Sequence, residues 1–428
     1  MKRFGFILLG AAALLAVLLA TAQNHRAGEV RSVPATLYVS QHTGSNQNDG
    51  SKEAPFKNIQ KAIERARPGD VIRVAEGNYF GLLDCGNIKI DRGVSIIGGY
   101  SEDFSQRDVL AHRTFIQPSA ASNSTAQGQG TVQINVMTPG SLVELDGLIL
   151  DRGNAIAYHP GGEGRPDGVE TAMMQPIGTA GVGAPGVADD KVYTAETALV
   201  YIQTGSKCDI TIRNCAFLNG PNYGIIGSTG GTRITIDNCI FVNMRMAAVE
   251  LRGSNPAVNS ETLFTHNTVL FAWSRIKDLG DMGYGLRFMP KMDSRLDRNI
   301  IGCCILSGLD RTRVDAPAEK EAERVTSCEN TVFFLNRQAD LTLPGGAKAL
   351  SVRAGDFADV AQLSQAGGNR EESDPAFFSG AVNEAYLQGF LHAEATTSGV
   401  TMFANHYPVE DALRLFGAVE GYGAQQPR

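Results

Sequence analysis

The apolar positions of this chain fall into short alternating runs. "ITIRNCAFL" spans Ile210 to Leu218, and "ITIDNCIFV" follows twenty-four residues later, from Ile234 to Val242. Ile, Val, Phe and Thr dominate these runs, residues that suit a pleated, half-buried surface. In each copy an asparagine separates an alternating strand from a more continuously apolar one. Asn214, Asn238, Asn267, Asn299 and Asn330 mark five copies, at steps of 24, 29, 32 and 31 residues. A residue at such a corner takes a left-handed backbone, which Asn tolerates and Gly accepts freely. "VSIIGGY" at 94–100 and "VELDGLIL" at 143–150 carry Gly at that place.

Short strands, a corner residue and a base period in the twenties predict a solenoid of stacked coils. Stacking places equivalent residues about 4.8 Å apart, so the asparagines form a ladder. A second register runs beside the first. "GIIG" lies ten residues after Asn214, "AVEL" ten after Asn238 and "GLRF" eighteen after Asn267, with "ALVYIQ" at 198–203 upstream. Alternation turns Val249, Leu251, Leu286 and Phe288 inward. It turns Tyr201, Glu250, Arg252 and Arg287 outward, with Glu250 and Arg287 on neighbouring coils.

"YVSQHTGSNQNDGSKEAPFKNIQKAIERARPGDVIRVAEGNY", residues 38–79, resembles the opening of exported right-handed parallel β-helix proteins of the pectin-lyase-like superfamily. The repeats continue the resemblance to about residue 340. It implies an all-β fold, a right-handed parallel β-helix with three sheets. Within the opening, Ile59, Ile63 and Ala66 share one helical face, as expected of a helix capping the solenoid's apolar end. "VIRVAEG" reads as the first strand, and residues 341–428 as a C-terminal cap of loops and short helices.

Composition narrows the class. Lys2 and Arg3, the apolar run Phe4 to Ala20 and the Ala20-Thr21-Ala22 site form an export signal over residues 1–22, followed by a linker over 23–36. Its removal takes the two positive charges of Lys2 and Arg3, moving the formal charge from −7 to −9. That balance excludes a general nucleic-acid binder, and no later run is apolar enough to span a bilayer. The expected location is periplasmic, cell-surface or extracellular. Cysteines 85, 208, 215, 239, 303, 304 and 328 form no CxxC pair. Cys215 and Cys239 occupy one place in two copies and are expected to stack as buried free thiols.

Candidate chemistry sits in loops inserted into the solenoid of residues 37–340. Residues 152–197 form a long Gly-, Pro- and Ala-rich insertion, and 273–284 a second. The second holds Trp273, the sole tryptophan, and Tyr284; such rings either stack on a sugar or pack as core. Arg275, Lys277, Arg287, Lys291, Arg295 and Arg298 fall within 24 positions. They read either as a solvated mixed-charge surface or as a groove for uronates or sulfated sugars. "RIK" at 275–277 and "ADD" at 188–190 match fragments of polygalacturonase signatures, but the Gly-His-Gly and Asn-Thr-Asp motifs are absent. That resemblance stops at the fold. Polysaccharide lyases of this fold use a Lys or Arg base, for which Lys277, Arg287 and Lys291 are candidates by type and place; Lys277, Arg287 and the outward Glu250 are taken as the catalytic set. Trp273, Tyr284, Arg252, Arg275, Tyr201 and Lys291 are the substrate-binding ones. No cofactor or metal is expected; Asp278 with Asp281 is the one weak calcium pair.

Two functions fit. The first is an exported protein that binds or cleaves an extracellular, anionic polysaccharide, lyase chemistry being favoured over glycoside hydrolysis. The second is a non-catalytic surface or matrix protein whose rod shape is its function and which self-associates.

Overall fold

The computed structural model describes residues 33–81, 87–117, 130–151, 198–220, 222–244, 246–273, 283–313, 324–345, 349–392 and 407–427. Both insertions lie largely outside them, as do residues 1–32, where an export signal is expected, and Cys85, Arg275, Lys277, Asp278 and Asp281. The chain divides into Met1–Ala35 and Thr36–Arg428, and everything below concerns the second unit.

Among the described residues three sheets of nine strands each wrap the core. One coil shows the pattern: Asp209–Arg213 belongs to the first sheet, Ala216–Leu218 to the second and Tyr223–Thr229 to the third. Equivalent strands of successive coils pair in parallel. Ile210 lies beside Ile234, Phe217 beside Phe241 and Ile225 beside Val249. The second register holds too, since Val249 pairs Leu286. This is the three-sheet parallel β-helix expected from the repeats.

The corner differs from expectation in detail. Asn214, Asn238 and Asn330 take left-handed φ values of 51°, 56° and 46°. In the two coils between, His266 and Arg298 take that conformation instead, at 50° and 55°. Pairing of Ile240 with Thr268, Thr268 with Ile300 and Ile300 with Val332 makes Asn267 and Asn299 equivalent to Cys215, Cys239 and Thr331. Asn267 and Asn299 are therefore one residue inside the corner and fully buried. Their amides serve the backbone. Asn267 Nδ2 donates to Ile236 O at 2.9 Å, and Asn299 Nδ2 to Phe264 O at 2.8 Å.

The outer ladder runs from Asp146 through Asn214 to Asn238. Asn214 Nδ2 donates to Asp146 Oδ1 at 2.8 Å, and Asn238 Nδ2 to Asn214 Oδ1 at 2.7 Å. Asn238→Leu should lower stability by about 1–3 kcal/mol, through lost buried hydrogen bonds and a poor left-handed residue. Equilibrium denaturation checks this; an unchanged midpoint would contradict the ladder.

Cys215 and Cys239 lie one coil apart, both free and fully buried. Burial, and then the neighbouring Cys215 sulfur, pushes the Cys239 thiol well above its ordinary value. Both thiols should resist iodoacetamide in the folded protein and react once it is denatured. A 215–239 disulfide peptide from the unreduced protein would refute this.

The ends are closed. Helix α1, Ile59–Arg65, buries Ile59, Ala62 and Ile63 at the N-terminal end. A strand not foreseen, Thr36–Val39, precedes the expected first strand and pairs with it in parallel, Leu37 beside Ile72. At the other end Leu350–Val352 adds antiparallel to Ala339–Leu343. The fully buried Phe357 packs edge-on to Phe333 at 5.2 Å.

Residues 375–392 and 407–427 are not part of that cap. They pack across the outer face of the second sheet, with α2 at Glu384–His392 and α3 at Val409–Leu413. Phe378, Tyr386, Phe390, Tyr407 and Phe416 cover Leu218, Val242, Leu270, Phe271, Trp273 and Ile300. Polar contacts fix this strap. Tyr407 N donates to Asn219 Oδ1 at 2.8 Å, Gln425 N to Asn238 Oδ1 at 2.6 Å and Ala424 N to Thr268 Oγ1 at 2.9 Å. The strands of the second sheet from Ala216–Leu218 to Ile300–Cys304 are thus buried on both faces, which explains their unbroken apolar runs.

Candidate functional site

The outer face of the third sheet carries three columns of side chains, one residue per coil. The middle column runs Gln133, Tyr201, Ile226, Glu250, Arg287, Asp310 and Thr342, each beside the next in register. A flanking column runs Asn135, Gln203, Ser228 and Arg252. On the other flank Ala198, Tyr223, Ala247 and Tyr284 form an apolar patch.

Alternation therefore placed Tyr201, Glu250, Arg252 and Arg287 correctly on one sheet. It did not foresee how deep some of them lie. Arg287 is 4% exposed and Asp310 fully buried. Arg287 Nε donates to Asp310 Oδ2 at 2.7 Å, and its Nη1 lies 3.5 Å from Glu250 Oε2. The guanidinium sits 4.0 Å from the centre of the Tyr284 ring, itself buried. Asp310 Oδ1 accepts from Thr342 Oγ1 at 2.7 Å and from Thr312 N at 3.1 Å. The half-buried Glu250 and the buried Arg287 and Asp310 form an acid–base–acid row on three successive coils.

The electrostatics follow from that row. Burial alone pulls the Arg287 pKa down, but the Asp310 carboxylate, and then Tyr284 and Glu250, more than offset it and leave it raised. The guanidinium holds its proton. Burial pushes the Glu250 carboxyl above its ordinary value, against the pull of Arg287 and Arg252. Glu250 thus has the character of a weak acid that retains its proton above the usual carboxylate range. In the folded protein it keeps a proton that the unfolded chain releases above about pH 4.3. Stability therefore falls as pH rises from there through the folded pKa. Thermal melts from pH 4 to 8 should show this decline flattened in Glu250→Gln. A steeper decline in the variant would contradict the burial argument.

The other candidates separate. Trp273 is fully buried against Phe271, Tyr386 and Phe390 beneath the strap, so it cannot stack on a sugar. Tyr284 is likewise core to the third-sheet face rather than a platform. Lys291 takes a left-handed φ of 61° at the corner beyond the Arg287 strand, and its carbonyl accepts from Ser260 N. Arg295 lies on the first sheet, 2.9 Å from Glu261, and Arg298 at the next corner, 3.3 Å from Asp297. The described members of the basic cluster are thus distributed around one coil and line no common groove. Arg275 and Lys277 lie outside the described residues, as does the Asp278–Asp281 pair.

Asp310 and Tyr223 were missed, though the sequence holds their signal. "GLD" at 308–310 repeats the "GLR" of 285–287, and Tyr223-Gly224 repeats Tyr284-Gly285. A second polar cluster was also missed. A cleft of about 400 Å³ at the asparagine corner is lined by Arg107, Asp146, Arg213, Asp237, His266 and Gln425. Asp146 is committed there to Arg107 at 2.7 Å and Arg213 at 3.0 Å, which makes the cluster a joint of the coil.

Comparison with known proteins agrees with this architecture. A family model described as a right-handed β-helix region matches residues 187–316. A second, a protein family of unknown function (DUF1565), matches residues 42–160. The uncharacterized protein YwoF of Bacillus subtilis (strain 168) is 38% identical over 84 residues, 20% of this chain. The chain spans only 18% of that relative's length. Among solved structures, the pectate lyase Pel9A aligns with 79% of this chain and 80% of its own, at 11% identity and a TM-score of 0.43. The pectin methylesterase PemA from Erwinia chrysanthemi aligns with 86% and 98%, at 13% identity and 0.37. At such values the likeness to these two structures carries no functional meaning. The chain thus has the fold of a right-handed parallel β-helix, which the family model over residues 187–316 describes in the same words.

Proposed function

We propose that this is an exported protein that binds an extracellular polysaccharide across the coils of its third sheet. The observation that carries the reading is the open part of that sheet's outer face. Tyr201, Gln203, Ser228, Glu250 and Arg252 project there from three adjacent strands, one coil apart. Repetition of polar and aromatic groups at a constant spacing suits a ligand that is itself a repeat. Arg287 is not a proton-abstracting base, because its buried carboxylate partners keep it charged. Within the described face Glu250 is the group suited to proton transfer.

The self-assembling alternative loses one support. Both ends of the β-helix are closed by added strands and helices, which removes the open edges that end-to-end growth requires. No helix among the described residues is long and apolar enough to cross a membrane.

The test is a panel of soluble polysaccharides, read by affinity electrophoresis for binding and by ultraviolet absorbance for the unsaturated product of β-elimination. Retardation by at least one member is expected. Free migration with every member would overturn the reading.

A further inference from the structure

The geometry points to a neutral, hydroxyl-rich polysaccharide as the ligand of the third-sheet face. This rests on the polysaccharide reading above and names its substrate class, against the anionic expectation drawn from the clustered Arg and Lys residues.

Three observations carry it. First, Arg287, the cation in the centre of the face, is already engaged. It is buried between Asp310 and Glu250 and stacked on Tyr284. An incoming carboxylate would have to displace a fully buried partner that also accepts from Thr342 and Thr312. Losing such a partner leaves a buried charge uncompensated, which no exposed ligand charge offsets.

Second, the accessible side chains are amides and hydroxyls. Asn135, Gln203 and Ser228 follow one another in register on three coils. Asn135 and Gln203 are exposed and Ser228 half-buried. Among the described residues none of the three side chains has a hydrogen-bond partner. Each both donates and accepts, as sugar hydroxyls do. Tyr201, half-buried beside Gln133 and Ile226, offers a ring for the apolar face of a sugar. Among the described residues the exposed cations of these columns are only two and stand far apart, Arg252 at one end and Lys89, beside Gln133, at the other.

Third, the whole chain carries a formal charge of −7. A protein of that sign repels a polyanion at long range and has no such penalty with a neutral chain.

The experiment compares dextran, galactan and arabinan with polygalacturonate, alginate and dextran sulfate, by affinity electrophoresis and calorimetry at low and high salt. Wild type, Tyr201→Ala and Gln203→Ala are used, with thermal melts as the control for folding. The expected result is binding to a neutral member that changes less than twofold between 20 and 500 mM NaCl (about a fivefold fall in Debye length). That binding should weaken by roughly tenfold or more in Tyr201→Ala and in Gln203→Ala while their melts stay unchanged, the scale of one lost contact. Binding confined to the uronate or sulfated members, weakening steeply with salt, would overturn the neutral assignment and leave the polysaccharide reading standing. Neutral binding untouched by both substitutions would remove the site. Binding to no member would overturn both.

Discussion

Arg287→Ala should destabilise the protein by about 3–5 kcal/mol, the scale of a buried ion pair broken from one side. Desolvation sets the scale of the loss. Asp310 is fully buried, and its Oδ2 loses a donor at 2.7 Å. Glu250 loses the cation that opposes its own burial. The Tyr284 ring loses the guanidinium packed 4.0 Å from its centre. Strand alternation, which turns Arg287 outward, would by itself imply a small effect, since an exposed charged pair contributes little. Urea denaturation separates the two, and the double variant Arg287→Met with Asp310→Leu sharpens the comparison. Removing both charges should recover much of the loss, because neither is then left unpaired. A double variant as unstable as Arg287→Ala would show that packing, not charge, makes the site costly to change.

Trp273→Ala should cost about 3–5 kcal/mol as well, by the cavity it leaves. Trp273 is wholly enclosed, 5.4 Å from Phe390 and 6.1 Å from Tyr386 between ring centres. These aromatics belong to the strap, so the substitution should also loosen residues 375–392 and 407–427 and make them the first site of proteolysis. As the sole tryptophan it reports on itself. Wild-type emission should be blue-shifted and poorly quenched by acrylamide, and no polysaccharide should change it directly. Strong quenching by acrylamide in the native protein would contradict the burial.

Both predictions turn on features that a linear reading understated. The coils were legible because alternation in "DITIR" and "RITID" has a period of two with one apolar face, and because corners demand Asn or Gly. The corner register slipped by one in two coils. His266 and Arg298 there take left-handed backbones that their residue types do not advertise, while Asn267 and Asn299 stand one place later for another purpose. The strap was read as an end cap because its helices are short and its aromatics widely spaced. Yet the second sheet had announced a cover. "AFL", "IFVNM", "TVLFA" and "IIGCC" are buried at every position, and a strand with no polar face needs packing on both. Trp273 directly follows one of these runs.

The site was half legible. Strand parity fixed which side chains share the outer face, because a one-residue shift would have turned Leu286 and Phe288 out of the core. Depth along the face was not legible, since it depends on chain packed over the sheet from elsewhere. The Lys and Arg cluster misled for a geometric reason. A stretch of 24 residues is a full turn of this solenoid, so neighbours in sequence look out in different directions.

Hydroxyl-radical footprinting, with and without a retained polysaccharide from the panel, tests the central claim most directly. Oxidation of Tyr201 should fall sharply when the glycan is added, while that of Tyr422, on the strap over the second sheet, stays constant. Unchanged oxidation of Tyr201 together with protection of Tyr422 would place the glycan on another face and contradict the account.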